Sequence, residues 1–293
     1  MDAEKLARVD SVIEAAIANG AFPGAALAVG RRGRLVRLQG YGTLDHVPGS
    51  GAADESSIYD VASLTKVVAT TTAIMILEEE GRLDLDAPLS RYLPEWGGSP
   101  DKDRVTLRHM LTHTAGFVPF LPLWRELRGP DAYLERIAAL PLERVPGERA
   151  VYSDFGPILL GIVIERVSGM PLERFLDERL FGPLGMRDTG FNPRERGEAV
   201  LARTAPTEVD TVFRMRHIHG DVHDENAYAI GGIAGHAGLF STARDLAVFA
   251  QMLLDGGRHG LLDAALEAGR AGAGGDVAQA LVDERLRQHG GGR

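Results

Sequence analysis

Hydrophobic and polar positions near the start of the chain alternate with a helical period. Between residues 3 and 18 the apolar positions that share one helical face are Leu6, Val9, Ile13, Ala16 and Ile17. Gly20 and Pro23 then supply stop signals. Two strand-like apolar runs, AALAVG and LVRLQGYG, follow on either side of a polar turn at residues 31–33. The pattern therefore predicts an amphipathic helix and then a β-hairpin.

Beyond residue 60 the pattern is mostly helical. Helical spacing marks the segments near 63–80, 106–113, 131–140, 154–168, 171–180 and 242–255. The best-defined segment begins at Asp154, which can cap its N-terminus, and ends before Gly169, which can cap its C-terminus. We expect this helix to lie in the core and to present its leading residues at a helix N-terminus. Residues 258–293 are Gly-rich without a strand-like run, which predicts a flexible tail.

Composition narrows the function classes. The chain has 293 residues, 44% of them hydrophobic, which suffices for a large core and excludes disorder for most of its length. Its 41 acidic and 32 basic residues give a net charge of -9, and no basic cluster interrupts the excess of acid. Because a polyanion would be repelled, we expect no nucleic-acid partner. The absence of cysteine excludes disulfides, thiolate nucleophiles and iron–sulfur clusters.

The start of the chain has acidic residues where an export signal has an apolar segment, and the apolar runs are shorter than a membrane span. As written, the sequence predicts a cytoplasmic protein without a membrane span. An incomplete N-terminus would instead make it periplasmic or extracellular. No pattern indicates the oligomeric state.

The chemistry centres on Ser63-Leu64-Thr65-Lys66, which opens a predicted helix. Three-residue spacing places the Ser63 hydroxyl and the Lys66 amine one turn apart on the same face, within reach of a hydrogen bond. The helix N-terminus adds unpaired N–H groups and a positive partial charge, which stabilise a developing oxyanion. This pattern is typical of a serine nucleophile with an adjacent base.

Lysine is scarce, occurring only at Lys5, Lys66 and Lys102. Arginine, the usual cation here, cannot lose a proton in a protein, whereas a desolvated lysine can act as a general base. A second Ser-x-x-Lys, from Ser99 to Lys102, lies in a Gly- and Pro-rich loop where no helix holds the two side chains together. We therefore expect Ser63 and Lys66 to carry the chemistry.

Tyr152 is the candidate second base and acid, because it stands in Tyr152-Ser153-Asp154 at the start of the best-defined helix. A phenol beside a cationic lysine can relay a proton between a serine and a leaving group. Taken alone the signal is weak, since a tyrosine ahead of a helix is commonly a packing residue.

Together these residues resemble the serine β-lactamase and penicillin-binding-protein-like superfamily, above all class C β-lactamases and related serine esterases. SLTK is similar to its nucleophile motif, and Tyr152-Ser153-Asp154 to its Tyr-x-Asn motif. Other similar stretches between about residues 5 and 257 are EGRLDLDAPLSRYLPEW, VTLRHMLTHTAGF, PGERAVYSDFGPILLG and AGHAGLFSTARDLAVFAQMLLDGG.

The resemblance implies an α+β fold, in which helices flank an antiparallel sheet beside a mostly helical second domain, with the site between them. We expect one β-lactamase-like domain over 1–257: a helix and hairpin in 1–60, a mostly helical part in 61–240 and a returning helix in 241–257. By the same resemblance Ser63 is the nucleophile, Lys66 its activating partner and Tyr152 the proton shuttle. The substrate would be a small-molecule ester, β-lactam or D-amino-acid amide, bound without a cofactor or metal.

Two departures from the family pattern change the expectation. Asp154 stands where the family has Asn, so an acceptor-only carboxylate replaces an amide donor and favours ester substrates. The third family motif, Lys-Thr-Gly or His-x-Gly on a late strand, has its only formal match at His236 and Gly238, directly before a helix. We expect the C-terminal strands to be missing, the sheet to be incomplete and the oxyanion hole to lack one donor. This predicts a truncated or frame-shifted member with weak or absent turnover.

Two other functions remain open. One is a member of the same fold that binds its ligand without turnover. The other is a metal-dependent hydrolase that uses His217, His219 and His223, although their spacing differs by one residue from known ligand motifs. His109 and His113 flank a helix end, where we expect hydrogen bonding and not catalysis.

Overall fold

The computed structural model describes residues 3–257. It opens with helix α1 (Ala3–Ala18) and the antiparallel strands β1 (Gly24–Arg31) and β2 (Arg34–Gly42). The two turn residues, Arg32 and Gly33, have φ values of 51° and 74°, the left-handed pair that a tight hairpin turn requires. The predicted helix and hairpin are therefore confirmed.

Short helices and short strands make up the rest of the described chain. The helices are α2 (Thr72–Glu79), α3 (Leu107–Leu111), α4 (Pro130–Ala139), α5 (Phe155–Ser168), α6 (Leu172–Leu176), α7 (Gly182–Leu184), α8 (Glu198–Leu201), α9 (Glu225–Ile230) and α10 (Ala243–Leu254). The strands are β3 (Tyr59–Asp60), β4 (Val209–Asp210), β5 (Arg216–His217) and β6 (Phe240–Ser241). Segments Lys66–Thr71 and Asp177–Phe181 are π-helical, and 3₁₀ turns cover Leu89–Arg91, Lys102–Arg104, Leu123–Arg125 and Pro193–Arg196.

Helix α5 is the centre of the core, as the sequence predicts. It packs against α2, α3, α6 and the π-helical segment Lys66–Thr71, and most of its side chains are buried. Gly169 has a φ of 72° and ends the helix in the left-handed conformation expected of a C-cap. Because both the α3 end and the Lys66 segment pack on α5, this helix fixes their relative positions.

The pairing of β3 with β6 brings the chain back behind Ser63. Asp60 pairs with Phe240, and the Val61 N–H donates to the Leu239 carbonyl at 3.0 Å. The Thr70 hydroxyl in turn donates to the Gly235 carbonyl at 2.6 Å. The loop that precedes β6 therefore lies directly against the helix that carries Lys66.

The hairpin is covered by helices, since α10 contacts β1 and α1 contacts β2. Within residues 3–257 β1 pairs with β2 alone, and the Gly-rich tail predicted over 258–293 lies outside the described residues. The mixture of helices with small antiparallel sheets agrees with the predicted α+β class. In this part of the chain no single helix meets the length and apolarity of a membrane span. Two consecutive helical segments, Phe155–Ser168 and Leu172–Leu184, together have the length and composition of a span, and the chain bends by 72° between them.

Candidate active site

Ser63 and Lys66 lie where strand β3 is followed by the π-helical segment Lys66–Thr71. The Asp60 carboxylate accepts the Ala62 N–H at 2.8 Å and the His223 N–H at 2.7 Å, and Ala62 has a φ of 47°. This strained residue turns the chain so that Ser63 lies three residues before Lys66, where the π-helical segment begins. The Lys66 Nζ lies 2.8 Å from the Ser63 Oγ, the contact predicted from their spacing.

Three acceptors surround the amine of Lys66. Besides the Ser63 Oγ, they are the Asp154 Oδ1 at 2.8 Å and the His236 carbonyl at 3.0 Å. An ammonium has three N–H donors, so these contacts fill its donor capacity. Because only 6% of Lys66 is exposed, this charge is held in a nearly dry setting beside a partly exposed hydroxyl.

Tyr152 stands at the open side of this pair. Its ring centroid is 4.9 Å from the Lys66 Nζ, and 46% of the residue is exposed. The structure thus places Lys66 between Ser63, to which it hydrogen-bonds, and the face of the partly exposed Tyr152 ring.

The carboxylate of Asp154 bonds to Lys66 instead of capping α5. Asp154 occupies the N-cap position, but its side chain makes no capping hydrogen bond, so the capping prediction is wrong. The Ser153 Oγ accepts the Phe155 N–H at 3.3 Å in its place. The carboxylate is free for Lys66 because the neighbouring hydroxyl satisfies a helix N–H.

His236 reaches the site through its backbone. Its carbonyl accepts from Lys66, while its buried ring bonds to the Asp224 Oδ1 at 2.9 Å. Gly238 has a φ of 113°, and a Cβ there would lie 2.3 Å from the Gly232 carbonyl. The predicted His-x-Gly therefore contributes a carbonyl and a tight turn, and its imidazole faces a carboxylate and not Ser63.

Two half-buried carboxylates, Asp60 and Asp224, lie behind the site. Burial raises the pKa of Asp224, but the hydrogen bond and positive charge of His236 outweigh it and bring the pKa to about 2. Burial is also the main reason that the pKa of Asp60 is raised. Asp224 caps α9 by accepting the Ala227 N–H at 2.7 Å. The ionised Asp224 thus fixes both α9 and the loop that holds His236.

His113 hydrogen-bonds at the end of α3, as the sequence predicts, but its place behind Tyr152 is not evident from the sequence. The two ring centroids are 4.6 Å apart, and the His113 Nδ1 accepts the Ser153 N–H at 3.2 Å. Burial, aided by the charge of Lys66, lowers the pKa of His113 to about 4. The ring is therefore neutral at ordinary pH.

The three histidines of the metal hypothesis have separate partners. His217 lies 3.3 Å from Asp45, His223 lies 3.2 Å from Glu208, and the His219 ring faces two backbone carbonyls. Among residues 3–257 no three His, Cys, Asp or Glu side chains converge as a metal site would require. The arrangement gives no support to a metal-dependent hydrolase at these residues.

A separate cavity of about 470 Å³ lies on another part of the molecule. Its lining consists of Ile233 and of some of the residues between Glu173 and Arg196, and it includes none of Ser63, Lys66 or Tyr152. It mixes carboxylates, guanidinium groups and apolar side chains, a lining that selects no single ligand chemistry.

Comparisons with known proteins identify the family. The Beta-lactamase family profile matches residues 9–291. A "Putative D-alanyl-D-alanine carboxypeptidase" of Salmonella agona is 35% identical, and the match covers 88% of this chain and 66% of that protein. An "N-acetylmuramyl-L-alanine amidase" of Bacillus subtilis is 32% identical, over 87% of this chain and 64% of that protein. This chain thus spans slightly less than two thirds of the length of these relatives.

The solved structures agree with the predicted fold. An octameric penicillin-binding protein homologue from Pyrococcus abyssi superposes with a TM-score of 0.69 and 28% identity, over 87% of this chain and 57% of that one. The resemblance drawn from the Ser63 and Tyr152 motifs is confirmed at the level of the family. The chain belongs to the Beta-lactamase family.

Proposed function

We propose that this chain carries the reactive serine of a hydrolase that works through an acyl-enzyme. Ser63 attacks the carbonyl of an ester, a β-lactam or a D-amino-acid amide, and water later releases the acid. The supporting observation is the 2.8 Å contact between the Ser63 Oγ and a buried Lys66 amine. The names of the relatives, a carboxypeptidase and an amidase, point to the same class of reaction.

In this proposal Lys66 and Tyr152 have different roles in the reaction of Ser63. Three acceptors within 3.0 Å occupy the N–H donors of the Lys66 amine, and one of them is the Ser63 Oγ. Lys66 then stabilises the serine alkoxide as a donor. Tyr152 is the base that accepts the Ser63 proton and the acid that returns it to the leaving group.

Asp154 bears on which substrates fit. One carboxylate oxygen is bonded to Lys66, and the other can only accept hydrogen bonds. A substrate carbonyl gains nothing from this oxygen, whereas a substrate N–H, ammonium or hydroxyl does. We therefore place esters and donor-bearing D-amino-acid derivatives ahead of amides that need their carbonyl bound.

A fluorophosphonate probe tests the nucleophile, because it forms a covalent bond with activated serines. We expect one label per chain, located by peptide mapping at Ser63. Ser63→Ala should abolish the label, and Lys66→Ala should slow labelling by about a hundredfold or more.

Ser99→Ala is the matched control, since Ser99 and Lys102 form the second Ser-x-x-Lys of the chain. In the structure the Lys102 Nζ donates to the Ala138 carbonyl, and the Ser99 Oγ accepts only from the Lys102 backbone, at 3.3 Å. This variant should label like the wild type. A folded wild-type protein that takes no label would contradict the proposal and favour ligand binding without turnover.

A further inference from the structure

His113 holds the backbone on both sides of Tyr152. Its carbonyl accepts the Val151 N–H at 2.9 Å, and its Nδ1 accepts the Ser153 N–H at 3.2 Å. These two donors belong to the residues immediately before and after Tyr152. A single residue therefore fixes the direction in which the tyrosine leaves the backbone.

The same histidine contacts the tyrosine ring. The ring planes are tilted by 37° with centroids 4.6 Å apart, and Lys66 lies 4.9 Å from the same tyrosine ring. Because 46% of Tyr152 is exposed, its orientation depends on these few contacts.

His113 is itself held in an unusual conformation. Its φ is 57°, in the left-handed region, and its N–H donates to the Met110 carbonyl at 3.2 Å at the end of α3. Residues other than glycine adopt this conformation infrequently, and histidine does so more often than most. The ring therefore has a defined place between α3 and the segment from Val151 to Ser153.

We propose that His113 is the positioning residue for Tyr152, holding the tyrosine beside Lys66 through its own ring and its Nδ1 acceptor. The inference rests on the proposed function, in which Tyr152 moves the Ser63 proton. It requires a neutral imidazole, because a protonated Nδ1 would face the Ser153 N–H as a second donor. The charged or titratable groups around the ring are Lys66, Asp154 and Tyr152.

Two substitutions test the role of the His113 ring separately from the role of its Nδ1 acceptor. Asn and Gly both tolerate a positive φ, so neither His113→Asn nor His113→Gly adds backbone strain. Asn keeps an acceptor near the Nδ1 position but loses the ring, and Gly loses both. We expect kcat on an activated ester to fall about tenfold for His113→Asn and about a hundredfold for His113→Gly, with KM little changed.

A second readout works even without turnover. In protein labelled with ¹³C at the tyrosine Cζ, Tyr152 is assigned from the signal lost in Tyr152→Phe. We expect its shift and titration midpoint to change in both histidine variants, most in His113→Gly. Unchanged kcat and an unchanged Tyr152 titration in folded variants would overturn the inference.

The two readouts also separate this inference from the proposed function. Wild-type protein that takes no fluorophosphonate label refutes the reaction, while a displaced Tyr152 signal in the variants still supports positioning. Conversely, normal labelling of the wild type and of both variants supports the reaction and refutes the role of His113.

Discussion

At the scale of single residues, the contact between Asp154 and Lys66 decides how the site differs from its family pattern. Asp154→Asn keeps an oxygen for Lys66 and adds an N–H donor for a substrate carbonyl. We expect the ratio of kcat/KM for an amide or β-lactam to that for a matched ester to rise about tenfold. Steady-state kinetics on one acyl group in both forms measures this ratio.

Asp86→Asn is the control for that substitution, because Asp86 pairs with Arg108 on the surface. It should leave the ratio unchanged. A ratio that falls or stays constant in Asp154→Asn would show that Asp154 does not select the substrate.

The neutral state of His113 links stability to pH. Its pKa is about 4 in the folded chain, below the ordinary 6.5, so the unfolded chain takes up the proton first as the pH falls. The contribution of His113 to the free energy of unfolding is fully present above pH 6.5. It is lost as the pH falls from 6.5 to 4, which lowers the free energy of unfolding by up to about 3 kcal/mol.

Urea unfolding of wild type and His113→Asn from pH 7.5 to 4 measures this effect. The difference in free energy of unfolding between them should shrink as the pH falls, because the variant lacks the titrating group. A difference that stays constant over the whole range would contradict a buried neutral imidazole.

Residue types and spacing predict the contact between Ser63 and Lys66, which the structure has, while the catalytic roles of Ser63, Lys66 and Tyr152 stay predictions. Ser63 and Lys66 are one helical turn apart, so local geometry brings them together. The bond from Ser153 to His113 joins residues 40 positions apart, and no local pattern marks it. Asp154 was assigned to a helix cap for the same reason, since its partner Lys66 is distant in sequence.

At the scale of elements, helix α5 closely approaches the loop before β6, and this contact positions the loop carbonyls that bond to Thr70 and Lys66. A Cβ on Gly235 would lie 2.0 Å from the Pro157 carbonyl, so Gly235→Ala must push the loop away from α5. The Thr70 bond to the Gly235 carbonyl and the Lys66 bond to the His236 carbonyl would lengthen.

We expect Gly235→Ala to lower the free energy of unfolding by about 2 kcal/mol and to slow fluorophosphonate labelling at least tenfold. Gly51→Ala is the matched control, because a Cβ there meets only the Leu44 side chain, at an ordinary 3.6 Å. Labelling of Gly235→Ala at the wild-type rate would show that this loop does not support Lys66.

Long elements with a clear period were predictable, and two-residue strands were not. The bounds of α1, the hairpin, α4, α5 and α10 agree with the sequence prediction to within about two residues. The pairs β3–β6 and β4–β5 are too short to carry an alternating pattern. They form because distant segments meet, and β3–β6 is the pair that closes the site.

At the scale of the whole molecule, the site is assembled from four separate stretches. They are Ser63 to Lys66, His113, Tyr152 to Asp154, and the His236 loop, and α5 and the β3–β6 pair hold them together. The division into 1–257 and a tail, and the weak turnover expected from the third motif, stay predictions.

The central claim is that a substrate becomes bonded to Ser63. The most direct measurement is the intact mass of the protein, quenched in acid during reaction with an activated ester, followed by peptide mapping. We expect one added acyl group per chain on the peptide that contains Ser63, and none in Ser63→Ala. An acyl group carried equally by Ser63→Ala, or hydrolysis of the ester by Ser63→Ala at the wild-type rate, would contradict it.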